Sequence, residues 1–389
     1  MHKITKLFIV LLPVFSLLFF DISYGEPGPW KKLLPAYKNF FKKSAASQRA
    51  KVLQPKQIEK ILNKRVWRAN KKIYHKGGLI EIGGLLFVNE YPLVFFKEWP
   101  PELGQALFQD QPWLLAAGPR AQQNYVISLH NRLAATLLKE RAQLRKDLQK
   151  NSARLQSEIL PLTQEPFALQ EAKRIPPNTQ QILIGEGHGV EKISQEILSF
   201  IQAVQARNPG RQIVYLTEFI PQNVDLDYLL SIMRLLPKDA HYYHIFDWLK
   251  RCDIPIIGLE PSWVWMFQPP QVSVGNLFQL KPYEVSLWES LGGVYLRNQS
   301  WLRVIASARK SYPHALFIIH AGYGHTDYNA PFNISKMFAP QETFVLRVLK
   351  NEGSIFHAFS GGKYSYPLLG WKDKQLAYLA GCDAQIKVD

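Results

Sequence analysis

Cysteine is nearly absent from this chain, with two residues, Cys252 and Cys382, among 389. That excludes a disulfide-dense scaffold and a thiolate metal centre, because two cysteines without a partner motif hold no metal. In an oxidising compartment the two could pair and clip the C-terminal tail onto the fold. Left as buried free thiols, they would not. Methionine is also scarce, with four residues, so there is little basis for soft axial ligands to a haem. No internal repeat and no motif that reads RNA or DNA is present, so nucleic acid is not expected as a partner. Past the N-terminus, no apolar run reaches the ~20 residues of a spanning helix.

Apolar side chains are plentiful, at 47%. They can fill a sizeable core, and the length suits one large domain or two. The first 25 residues read as a secretory signal. His2, Lys3 and Lys6 form a basic start, and Leu7 to Phe20 is apolar apart from Pro13 and Ser16. Ser23-Tyr24-Gly25 then supplies small residues ahead of Glu26. The alternative is a membrane anchor, for which the run is short. Export to the periplasm or the medium is therefore expected.

The net charge of +16 is unevenly placed. Residues 26–175 carry 26 Lys and Arg against 12 Asp and Glu, whereas 176–389 carry 19 against 18. The first stretch is a basic, mainly helical region with a hairpin, and the second is an electrically balanced domain. Such asymmetry suits contact with an anionic membrane surface or a polyanion. The other reading is a solvated basic surface.

Residues 38–75 show helical spacing, with Val52, Ile58, Ile61, Leu62, Val66 and Ile73 as the apolar positions and Lys or Arg filling the gaps. Residues 79–82 and 85–88 flank Gly83-Gly84 as a hairpin, and 91–96 add a strand. Residues 120–160 carry a long leucine stripe and read as one helix. Prolines at 161, 166, 176 and 177 mark a linker. From 181 the texture alternates between strand and helix. Strands are expected at 181–184, 213–216, 255–259, 315–319 and 343–348, which predicts a mostly parallel sheet flanked by helices. An edge hairpin around Gly361-Gly362 and a short tail from Trp371 complete the chain.

Four of these strands run into polar groups. The first leads to Glu186 and His188, the second to Glu218, the third to Glu260, and the fourth to His320 and His325. A parallel sheet brings its carboxyl ends to one edge, where ligands bind. Carboxylates and imidazoles gathered there have the composition of a Zn, Mn or Fe site, and they equally suit metal-free acid–base work. Glycines beside His188 and before His325 would let a ligand approach the backbone. His320 continues its strand run and reads as a satisfied core histidine.

Gly185-Glu186-Gly187-His188, the strand ending in Glu218, and Gly322-Tyr323-Gly324-His325 together resemble the Tiki/TraB, ChaN and erythromycin-esterase superfamily. Leu296-Arg297-Asn298-Gln299-Ser300-Trp301 with Ile305 is similar to that family's Arg-Asn or Arg-Asp helix motif. The resemblance covers about residues 180–350 and nothing before 175. The two-residue spacing of Glu186 and His188 is closer to the ChaN and Tiki branches than to the esterases.

The resemblance implies an α/β fold and a metal-assisted hydrolase acting on a peptide, ester or lactone. His188, Glu218 and His325 would hold a divalent metal or orient the nucleophile, and Glu186 would activate water or be a further ligand. Arg297, Asn298 and Tyr323 would bind substrate. The ChaN branch implies a haem- or iron-binding uptake protein as the alternative. A third expectation is an exported effector whose basic region meets an anionic membrane.

Overall fold

The computed structural model describes residues 51–75, 79–82, 85–88, 91–93, 99, 101–157, 165–187, 191–234, 242–261, 291–330, 333–350, 368–371 and 373–388. The expected signal segment, His188, the edge-hairpin turn and the helical region before 291 lie outside these residues. The chain divides into two compact units, one of residues 27–142 with 262–297 and the other of 143–261 with 298–389. The division does not fall at 175/176. It cuts the helix Pro119–Ser157, because Leu148 and Leu155 near that helix's end pack into the core of the second unit.

The first unit contains an antiparallel sheet of β1 (Lys51–Val52), β2 (Leu79–Ile82), β3 (Leu85–Val88) and β4 (Tyr91–Leu93), in that order. The expected hairpin is there, with Ile82 opposite Leu85 and Leu79 opposite Val88. Helices Pro55–Ile61 and Lys64–Ile73 stand between β1 and β2. Proline opens the first of these, where its missing N–H costs nothing. Asn63 caps the second by accepting from the Val66 amide. Trp99, Leu103, Phe108, Leu114, Val126 and Leu129 form an apolar core under the long helix.

The second unit holds a sheet of seven described strands. They are β5 (Gln181–Glu186), β6 (Ile213–Pro221), β7 (Ile256–Glu260), β8 (Leu316–Gly322), β9 (Thr343–Lys350), β10 (Leu368–Gly370) and β11 (Ala384–Val388). The order across the sheet is β10-β11-β9-β5-β8-β6-β7, and only β10 runs antiparallel. The α/β class read from the alternation is the observed one. Burial on both faces explains why the central strands are nearly unbroken apolar runs.

Successive residues of these strands feed two separate layers, as strand geometry requires. Ile182, Ile184, Tyr215 and Ile318 face one layer, closed by helices Phe167–Arg174, Glu191–Arg207 and Tyr243–Arg251. Leu183, Val214, Leu216 and Ile319 face the other, closed by Trp301 and Ile305 of helix Leu291–Ser311 and by Leu376 of helix Lys374–Ala380.

Two expectations change. The segment from Trp371 is not a tail: Asp373 caps the helix Lys374–Ala380, and β11 then inserts parallel to β9. Its polar residues hid it, since Gln385 and Lys387 are buried. Gln385 stands in register with Arg347 of β9, which is itself buried in an ion pair with Asp327. Nor do Cys252 and Cys382 pair; both are free. Cys252 packs on the first layer and Cys382 lies in the second, so the sheet stands between them. Burial pushes the Cys382 thiol up to about 12, which leaves it protonated and inert.

Candidate functional site

The site residues sit at the carboxyl edge of the parallel strands, in two groups. Glu186 ends β5 and points into the first layer, two residues past Ile184. In the β5–β8 register Ile184 stands beside His320, so Glu186 and His320 share a face. His320 Nε2 lies 2.9 Å from Glu186 Oε2. Tyr242, at the start of helix Tyr243–Arg251, donates its hydroxyl to the other carboxylate oxygen. The hydroxyl of Tyr215 on β6 meets His320 Nδ1. Phe219 closes the box, stacked on Tyr242 at 4.0 Å and edge-on to His320 at 4.9 Å.

These contacts fix the protons. Burial, and then the charge of Glu186, push the Tyr215 and Tyr242 hydroxyls well above the ordinary phenol range. Both therefore stay protonated and donate. Tyr215 donates to His320 Nδ1, which leaves His320 Nε2–H to donate to Glu186. One buried carboxylate thus receives hydrogen bonds from an imidazole and a phenol, the condition under which a buried charge is tolerated.

The second group is built on the other layer. Glu218 alternates with Leu216 and Val214 on β6, which face that layer. His325 comes from the short helix Tyr323–Thr326 after β8. Its Nδ1 lies 2.7 Å from Asn298 Oδ1, so Nδ1 donates its proton to that oxygen. Trp301, one turn after Asn298, packs its ring 4.6 Å from the imidazole. His325 Nε2 stands 3.8 Å from Glu218 Oε2, too far for a hydrogen bond. The two groups are electrostatically linked, because the charge of Glu218 also raises the Tyr242 hydroxyl.

Gly185 makes this arrangement sterically feasible. A methyl group there would stand 2.2 Å from Thr326 Oγ1 and 2.8 Å from the Tyr323 Cα. The glycine is needed so that the turn carrying His325 can lie on the end of β5. Its role is in packing.

No protein-family model matches the chain. No curated protein matches it. Two solved structures are similar in part. One is the type III effector HopBA1, 12% identical, covering 59% of this chain and 96% of its own, with a TM-score of 0.31. The other is the C-terminal region of Pasteurella multocida toxin, reported with a thiol-protease-like catalytic triad. It is 9% identical, covers 87% of this chain and 45% of its own, and has a TM-score of 0.27. Both likenesses are too loose to carry an argument.

Of the expected site residues, the structure brings Glu218, His325 and Asn298 together. Glu186 engages a different set, on the other layer. Arg297 and Tyr323 are buried. Among the described residues, no three His, Cys, Asp or Glu side chains cluster as a metal group. Tyr215 and Tyr242 are additions of the structure, Trp301 stands in the sequence only as part of the Arg-Asn motif, and His320 is there the weakest strand-end candidate, read first as a core residue. It is one, with both ring nitrogens partnered, but it also anchors Glu186. The period-2 pattern already put His320 on the face of Ile318. The missing information was the β5–β8 register.

Proposed function

We propose that this chain is a hydrolase that activates water at the Glu218–His325 pair. The observation that carries the reading is the 3.8 Å gap between His325 Nε2 and Glu218 Oε2. A water at ~2.8 Å from both atoms would bridge them. His325 Nε2, its lone pair directed by the Nδ1–H bond to Asn298, takes a proton from that water. Glu218 orients the second hydrogen and stabilises the imidazolium that forms, and Trp301 holds the ring in place. This is general base catalysis with an orienting partner.

The resemblance to the Tiki, ChaN and erythromycin-esterase superfamily supports the same reaction class, with a peptide, ester or lactone as substrate. Glu186 is assigned to positioning, since it is buried and both carboxylate oxygens are occupied.

A divalent metal also fits the pair. Ligand bonds of roughly 2.0–2.2 Å put neighbouring ligands about 3–4 Å apart. Asn298 is the outer hydrogen-bond partner that a metal-bound histidine ordinarily has. Glu218 and His325 would be two ligands, with the expected third, His188, outside the described residues. Such an ion would supply a more acidic bound water.

Purified protein should hydrolyse at least one member of a panel of p-nitrophenyl esters, a lactone and unfolded polypeptide, tested with and without added Zn or Mn. A folded preparation inert towards all of them counts against the reading. The same proposal places the enzyme outside the cytoplasm. N-terminal sequencing of the exported chain should begin at Glu26, and an intact Met1 would refute export through a cleaved signal.

A further inference from the structure

We propose that the helix Lys64–Ile73 is the element by which this chain docks on an anionic lipid surface. Its sequence, KRVWRANKKI, contains five cations and no acid. At about 100° per residue, Lys64, Arg65, Arg68, Lys71 and Lys72 fall within about 120° of arc. All five are exposed, while Val66, Trp67 and Asn70 on the far side are buried. None of the five makes an ion pair among the described residues. A surface with both signs interspersed keeps single-sign fields small, and this arc lacks the acidic half.

The arc is held rigidly. Asn63, which caps the helix, also donates its side-chain amide to Asn124 on the long helix. The next residue, Tyr125, holds Trp113 edge-on at 5.9 Å. Trp113 is 61% exposed, one of few large apolar side chains in that condition among the described residues. One stretch of the long helix therefore carries both the cationic arc and an exposed indole. Head groups attract the first, and the interface between head groups and acyl chains suits the second.

The occupant follows from the pairing of the two features. Charge alone would also attract the phosphates of a nucleic-acid duplex. The exposed Trp113 indole decides for lipid, because it suits the boundary between head groups and acyl chains and has no part in binding a duplex backbone. The helix's own aromatic, Trp67, is buried and stacked on Tyr74 at 5.8 Å and 2°.

Cosedimentation of the full chain with phosphatidylcholine–phosphatidylglycerol vesicles in equal parts tests this, with wild type compared with the triple variant Arg68→Gln, Lys71→Gln, Lys72→Gln. These positions are exposed, so a matching thermal melt should show that the variant folds. About fivefold in affinity per cation predicts a loss on the order of a hundredfold. Salt near 1 M, where the Debye length is ~3 Å, should release the wild type to the variant's level. Trp113→Ala should weaken binding to the same vesicles and leave the salt dependence in place. Undiminished binding by the folded triple variant overturns the proposal. So does a wild type that ignores the vesicles while binding a DNA duplex through these same three residues.

Discussion

His320 Nε2 lies 2.9 Å from Glu186 Oε2 with neither side chain reaching solvent. A buried carboxylate in that position depends on its donors. Removing His320 leaves the Tyr242 hydroxyl on one carboxylate oxygen and takes the imidazole partner from the other, which typically costs about 1–3 kcal/mol. His320→Ala should therefore destabilise the α/β unit by about that much in urea denaturation. Glu186→Gln removes the charge along with the need for it, and should cost less than His320→Ala. Equal stabilities for wild type and His320→Ala would show that the pair is not what seats Glu186.

Gly185 permits the crossing of β5 by the His325 turn, and its loss should be felt there first. Gly185→Ala puts a methyl group 2.8 Å from the Tyr323 Cα, a backbone atom that cannot simply rotate away. Overpacking of this kind costs about 1–3 kcal/mol. The variant should melt lower and lose activity even near its own optimum temperature, because His325 moves with the turn. A fully active, equally stable Gly185→Ala would contradict the packing described.

Stability should also carry a specific pH signature. Burial pushes Glu171 up to about 7 from 4.5, although Arg174 at 2.6 Å pulls the other way. One of its oxygens has no hydrogen-bond partner among the described residues, which fits a carboxyl that keeps its proton. The folded state then binds a proton more tightly than the unfolded state. This contribution is complete below pH 4.5 and is lost as pH rises through about 7. His130 acts in the opposite sense: burial drives it down to about 3 from 6.5, so its contribution is lost as pH falls below 6.5. Comparing Glu171→Gln with wild type at each pH cancels the histidine. The variant should gain about 3 kcal/mol relative to wild type between pH 4.5 and 8, and a constant difference would refute the assignment.

The sheet was legible because burial on both faces forces apolar runs such as Ile182–Ile184 and Leu316–Ile319, which few other structures need. β11 was not legible, because Gln385 and Lys387 are polar and are buried only through a register with β9 that sequence spacing does not encode. The site divides in the same way. Glu218, Asn298 and His325 stood out as polar residues at strand ends or in a helix motif. The separation of Glu186 from them follows from which layer each strand residue faces. Tyr242 reaches Glu186 from a helix start 56 residues away in sequence, and nothing local announces it.

The central claim is that His325 and Glu218 handle the reacting water while Glu186 only supports the edge. Its most direct test is the hydrolysis rate of wild type beside His325→Ala, Glu218→Gln and Glu186→Gln, on whichever panel substrate the wild type turns over. A general base contributes about 10²–10⁴-fold. The first two variants should lose at least about a hundredfold in kcat, while Glu186→Gln, if folded, stays within about tenfold of wild type. A folded His325→Ala that keeps the wild-type rate, or a folded Glu186→Gln that loses it, would contradict the account.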